Sequence, residues 1–103
     1  MSAPHEDEFE VEELVIETFA QEGREGRAPS ARRYVIRIDR NTYTVNVSSM
    51  LGREILTLAG KVPPEQYKLR LKLHGGAAQT IGLDETVDFR APGVERFMTL
   101  KRD

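Results

Sequence analysis

The chain has 103 residues, 39% of them apolar and 31% charged, with a net charge of −2 and no cysteine. These figures fit one soluble domain and exclude disulfides, thiolate metal sites and thiol nucleophiles. No apolar run approaches a membrane span or a signal-peptide core, and the lack of cysteine fits a cytoplasmic location.

The modest net charge hides a split. Residues 1–31 carry nine acids and two bases, whereas residues 32–103 carry eight acids and thirteen bases. An acidic arm is therefore attached to a basic body. Pro4, Gly23, Gly26 and Pro29, with the mixed-charge run at 21–27, predict that residues 1–31 are disordered. Such a segment cannot bury enough apolar area to offset an ordering entropy of roughly 1–2 kcal/mol per residue. Within it, Phe9, Val11, Leu14, Val15, Ile16 and Phe19 lie among glutamates. They read either as a transient amphipathic turn or as a short motif, Leu14-Val15-Ile16, that adds as a strand to a basic sheet edge.

Residues 32–103 read as one domain. Tyr34, Ile36 and Ile38 alternate with Arg37 and Asp39, which predicts a strand over 34–39. Arg40-Asn41 is expected to turn, with Asn41 taking the left-handed conformation, into a return strand at 42–47 whose inward residues are Tyr43, Val45 and Val47. Leu51, Ile55, Leu58 and Ala59 follow helical spacing. Ser48-Ser49 offers caps at the start of this helix of about nine residues, and Gly60 and Pro63-Pro64 stop it.

The body is organised around residues 67–73. Tyr67, Leu69, Leu71 and Leu73 alternate strictly with Lys68, Arg70 and Lys72, placing an apolar face on a core and a cationic face outward. Gly75-Gly76 suits a tight turn. A short strand is expected at 79–81, a loop at 83–87 and a last strand at 95–100, with either Phe97 and Thr99 or Met98 and Leu100 inward. The order β-β-α-β-β-β, with one helix across a mixed sheet, is an α+β layout.

From Arg33 onward the chain resembles the bacterial multiubiquitin family of ubiquitin-like β-grasp domains. The resemblance rests on Tyr34–Asp39, Gly52–Leu56 with Leu58–Gly60, Pro63-Pro64, Tyr67–Leu73 before Gly75-Gly76, and Pro92–Phe97. Leu51 stands where the family usually has a capping threonine, so Ser49 is expected to take over the cap. Family members often carry tandem copies; this chain has one. The resemblance implies a protein modifier encoded with an activating enzyme, a conjugating enzyme and a JAB-type metallopeptidase, often tied to phage defence. It implies a substrate of enzymes rather than an enzyme, with no cofactor. A non-conjugated β-grasp adaptor, binding partners through its sheet, is the alternative.

No catalytic or metal-binding constellation is present: His5, His74 and the acids Asp84, Glu85 and Asp88 read as solvated groups. Leu71–Gly76 looks like the end of ubiquitin, Leu-Arg-Leu-Arg-Gly-Gly, yet cleavage there would remove the last strand, so the glycines are read as an internal turn. Conjugation is expected instead at Asp103, with Lys101 and Arg102 docking on acids of the activating enzyme. The lysines, Lys61, Lys68, Lys72 and Lys101, all lie in the body. The arm offers Ser2, Thr18 and Ser30 as hydroxyl acceptors, so chains and self-oligomers are expected to form through it, by a hydroxyl ester or by the α-amine. The cationic face of Arg37, Lys68, Arg70 and Lys72 reads either as a solvated sheet face or as a docking face for acidic enzymes or for the arm itself. Nucleic acid is not expected, because no stacking aromatics are interleaved with these bases.

Overall fold

A computed structural model describes residues 9–23 and 26–102 of the protein. In chain order the elements are β1 (Val11–Val15), α1 (Ile16–Gln21), β2 (Ala31–Ile38), β3 (Asn41–Val45), β4 (Ser49–Leu51), α2 (Gly52–Leu58), a 3-10 turn (Pro64–Gln66), β5 (Tyr67–Leu73), β6 (Ala78–Ile81), β7 (Thr86–Asp88) and β8 (Val94–Lys101). The main sheet runs β1-β2-β8-β5-β6, with β3 on the other edge of β2. The β2–β8 pair is parallel, and β5 pairs antiparallel with both β8 and β6.

Alternation in the strands produces this arrangement. Tyr34, Ile36 and Ile38 of β2 and Leu69 and Leu71 of β5 are buried, and Phe97 of β8 is wholly enclosed between them. Leu71 lies opposite Phe97 and Leu69 opposite Thr99, so Phe97 and Thr99 form the inward set of β8. The core closes under α2, whose Ile55 and Leu56 are fully buried, and around Phe89, which meets Tyr34 and Phe97 at ring separations of 6.3 Å. A mixed sheet with one main helix across it is the α+β, β-grasp-like layout that the pattern and the resemblance imply.

Several local expectations change. The β2–β3 turn is Asp39-Arg40, and Asp39, not Asn41, holds the positive φ of 56°. Asp39 tolerates it because its carboxylate accepts from the Thr99 N–H and hydroxyl at 2.9 and 2.6 Å. The return strand ends at Val45, leaving Val47 exposed. Ser49 does not cap α2, which has seven residues rather than about nine: Ser49 pairs with Asp88 in a small β4–β7 sheet, and β7 falls in the expected loop at 83–87. The helix start is met otherwise. Glu54 Oε1 accepts the Leu51 N–H at 2.8 Å, and the Gly52 and Arg53 N–H groups donate to the carbonyls of Glu85 and Leu83, both at 2.9 Å. Gly52 is needed there, because an added Cβ would fall 2.2 Å from the Gly82 carbonyl oxygen.

The largest correction concerns the arm. Residues 9–23 and 26–31 are not a disordered segment: β1 runs parallel along β2, and Leu14, Ile16, Ala20, Ala28 and Ala31 are buried. The strand-addition geometry considered for Leu14-Val15-Ile16 is found within the chain itself for Leu14 and Val15, while Ile16 opens α1. Arg37, which meets α1, alternates with the inward Ile36 and Ile38, so α1 lies on the sheet face opposite α2.

Candidate functional site

The cationic face is split between groups held inside the fold and groups left for solvent. Glu17 on α1 accepts from Arg37 Nε at 2.6 Å and lies 4.0 Å from Arg96 Nη1. Alternation puts Arg37 outward, and the first turn of α1 sets Glu17 above it while Ile16 is driven into the packing beside it, only 2% exposed. The same 20-residue offset recurs in the exposed pairs Glu12–Arg32 and Glu13–Arg33, both at 3.4 Å. Parallel pairing of β1 with β2 thus lays an acidic ladder on a basic one.

Lys72 is also engaged. Its ammonium donates to Glu95 Oε1 at 2.5 Å, and Glu95, at 4% exposure, is the one buried charged residue among those described. This hydrogen bond, with the charges of Lys72, Arg96 and His74, holds the carboxyl below its usual 4.5 despite desolvation. Glu95 lies where a bulge between Lys72 and Leu73 shifts the β5–β8 register. Among the described residues, Lys68 and Arg70 have no ion pair. They stand opposite Leu100 and Met98, and Leu100 is 60% exposed.

The β8 end runs along β5 to the rim of this face, where Leu100 and Lys101 pair with Lys68 and Tyr67. Lys101 and Arg102 are exposed; the Arg102 N–H donates to the Gln66 carbonyl at 2.7 Å and its Nε to the Tyr67 carbonyl at 3.2 Å. Asp103 and Ser2 lie outside the described residues, as does His5. Thr18 is exposed on α1, whereas Ser30 is half-buried with its Oγ accepting the Glu10 N–H at 3.2 Å. Structure therefore brings Arg37 together with the arm and separates it from Lys68 and Arg70. Glu17, Arg96 and Glu95 escaped the sequence reading. The i to i+20 matching of glutamates to arginines was the available signal for the first.

Gly75 and Gly76 have φ of 99° and 102° in the β5–β6 turn, where the Leu73 N–H donates to the Ala77 carbonyl at 2.7 Å. They are internal, and β8 beyond them is central to the sheet. The three loop acids serve the fold: Asp84 accepts from Arg53, Glu85 from the Gly82 N–H, and Asp88 from Arg27 and the Arg90 N–H. No cluster of three or more His, Cys, Asp or Glu suited to a metal occurs among the described residues, and no helix there is long and apolar enough to cross a membrane.

Sheet order, the single main helix and the enclosed Phe97 define a ubiquitin-like β-grasp domain. The family model described as Multiubiquitin matches residues 34–102, about two thirds of the chain, and the chain belongs to that family. The β1–α1 unit falls outside the match. Comparison with curated proteins and with solved structures gives no match.

Proposed function

We infer that the chain is a ubiquitin-like protein modifier of a bacterial conjugation pathway. In this reading an activating enzyme adenylates the carboxylate at Asp103 and a conjugating enzyme carries it to targets or to another copy. A JAB-type metallopeptidase removes it. The setting is cytoplasmic, with phage defence as the physiological role, and the chain is a substrate in each step. The family match across 34–102 carries the inference. The exposure of Leu100, Lys101 and Arg102 at the rim of the sheet supports it, because an adenylating enzyme must reach the chain just beyond them.

The test is intact-mass analysis after incubation with the pathway's activating enzyme, ATP and magnesium. A modifier produces a thioester- or ester-linked adduct of about the mass of this chain on that enzyme, lost when Arg102 and Asp103 are deleted. A non-covalent complex without any mass gain contradicts the proposal and supports the adaptor reading instead.

A further inference from the structure

Among the described residues β1, β3 and β6 each pair with a single strand, so each leaves one edge open. The three edges differ. β1 carries Glu12 and Glu13, and β6 has only four residues. β3 has no such guard. Residues 41–52 contain neither a charge nor a proline, in a chain that is 31% charged. The strand itself, Asn-Thr-Tyr-Thr-Val, is rich in β-branched and aromatic side chains. Its register on β2 runs without a bulge from Ile38–Asn41 to Tyr34–Val45. Open edges are ordinarily blunted by charge, proline or a bulge, and a regular uncharged edge is a template for another strand.

The backbone says which strand fits. The Asp39-Arg40 turn has two residues, so Ile38 and Asn41 close it by exchanging both hydrogen bonds, and along an antiparallel ladder such pairs alternate with pairs that exchange none. Asn41, Tyr43 and Val45 therefore turn their N–H and C=O groups toward β2. Thr42 and Thr44 turn theirs away, and both residues are exposed. These outward groups are symmetric about Tyr43. A two-fold axis there sets Thr42 opposite Thr44 of a second copy, and each outward N–H then meets an outward C=O. The register cannot slide onward, because Asn46 lies in a bend past the strand end. Antiparallel pairing also places Arg40 against uncharged Asn46 of the second copy, whereas parallel pairing would set the two arginines side by side. Tyr43, half-buried against the core, meets Tyr43 of the second copy in a close, non-hydrogen-bonded pair.

We propose that β3 pairs antiparallel with β3 of a second copy about a two-fold axis at Tyr43, joining two domains into one continuous sheet. The contact is isologous and closes as a dimer. It is small, so the dimer fills only as concentration rises. β2 and β8 separate β3 from β5, so the pairing leaves Lys68 and Arg70 open. It needs no conjugation chemistry, and its outcome is independent of the modifier reading.

The test is amide hydrogen exchange and sedimentation of the full-length chain at increasing concentration. In dilute solution the Tyr43 amide is protected and those of Thr42 and Thr44 exchange freely. On concentrating, the Thr42 and Thr44 amides gain protection and the mean mass rises from one copy toward two. Thr44→Pro removes an N–H that faces away from β2, so the β2–β3 pairing survives while both changes vanish. Thr42→Lys/Thr44→Lys and Thr42→Glu/Thr44→Glu each stay monomeric alone, because like charges oppose across the axis, and mixing them restores both changes. Amide dispersion confirms that each variant is folded. Thr42 and Thr44 amides already protected in the dilute chain, an unchanged mass up to the concentrations used for NMR, protection gained at β6 instead, or no recovery on mixing overturns the proposal.

Discussion

The two ends of the described chain are held to one sheet by different forces. At β8, Phe97 and Val94 belong to one buried core with Leu71, Ile36 and Phe89, and the strand pairs on both sides. At β1–α1, the strand has one partner and α1 has six residues, with no side-chain cap at its start. A helix that short does not stand alone in water. It stays because Ile16 and Ala20 are buried and because Glu17 meets Arg37 and Arg96. The contrast teaches that an acidic, glycine-bearing segment becomes ordered when its partner surface is supplied elsewhere in the chain. Composition of the segment by itself does not carry that information.

Three experiments bear on this difference. Phe97→Ala removes the most enclosed ring and is expected to destabilise the whole chain by about 3–5 kcal/mol, read as a lower denaturant midpoint for all probes together. Ile16→Ala should behave otherwise. Its intrinsic cavity cost is about 2–5 kcal/mol, but the observed loss is capped by local opening of β1–α1. Amides of 11–21 should lose exchange protection while those of β5 and β8 keep theirs. Loss of protection in both regions at once would show that the two ends form one cooperative unit.

The smallest effect expected is on the acid limb. Glu95 has a folded-state value below its ordinary 4.5, because Lys72 donates to it. The unfolded chain therefore takes up this proton first as pH falls. The contribution of Glu95 is fully present above about 4.5 and is lost as pH drops through the lower folded value. Glu95→Gln should flatten the stability profile below pH 4.5 relative to wild type, measured by urea midpoints across pH. An unchanged acid limb would mean that the Lys72 contact confers no preferential binding of the ionised carboxylate.

Much of the body was legible in the sequence. The period-two runs at 34–38 and 67–73 have apolar faces too regular for a helix, and they form β2 and β5. Gly60 and Gly75-Gly76 stand where positive φ is required. The short pairings were not legible. β4 and β7 have three residues each, too few for a pattern, and they form because α2 docks its first turn on residues 82–85. The site was half legible. Alternation marks Arg37, Lys68, Arg70 and Lys72 as one outward face, but the engagement of Arg37 and Lys72 depends on acids far away in sequence. Glu17 is twenty residues from Arg37 and Glu95 twenty-three from Lys72, and only the parallel β1–β2 register and the β8 bulge bring them together.

The most direct test of this two-part construction is residue-resolved hydrogen exchange on the full-length chain at low and high salt. The account predicts that amides in β1 are protected at low salt, less strongly than those of β8. It also predicts that high salt lowers β1 protection while leaving β8 unchanged, because acids on bases are screened and an apolar core is not. Free-peptide exchange rates throughout 11–21 at low salt, with β8 fully protected, would contradict it.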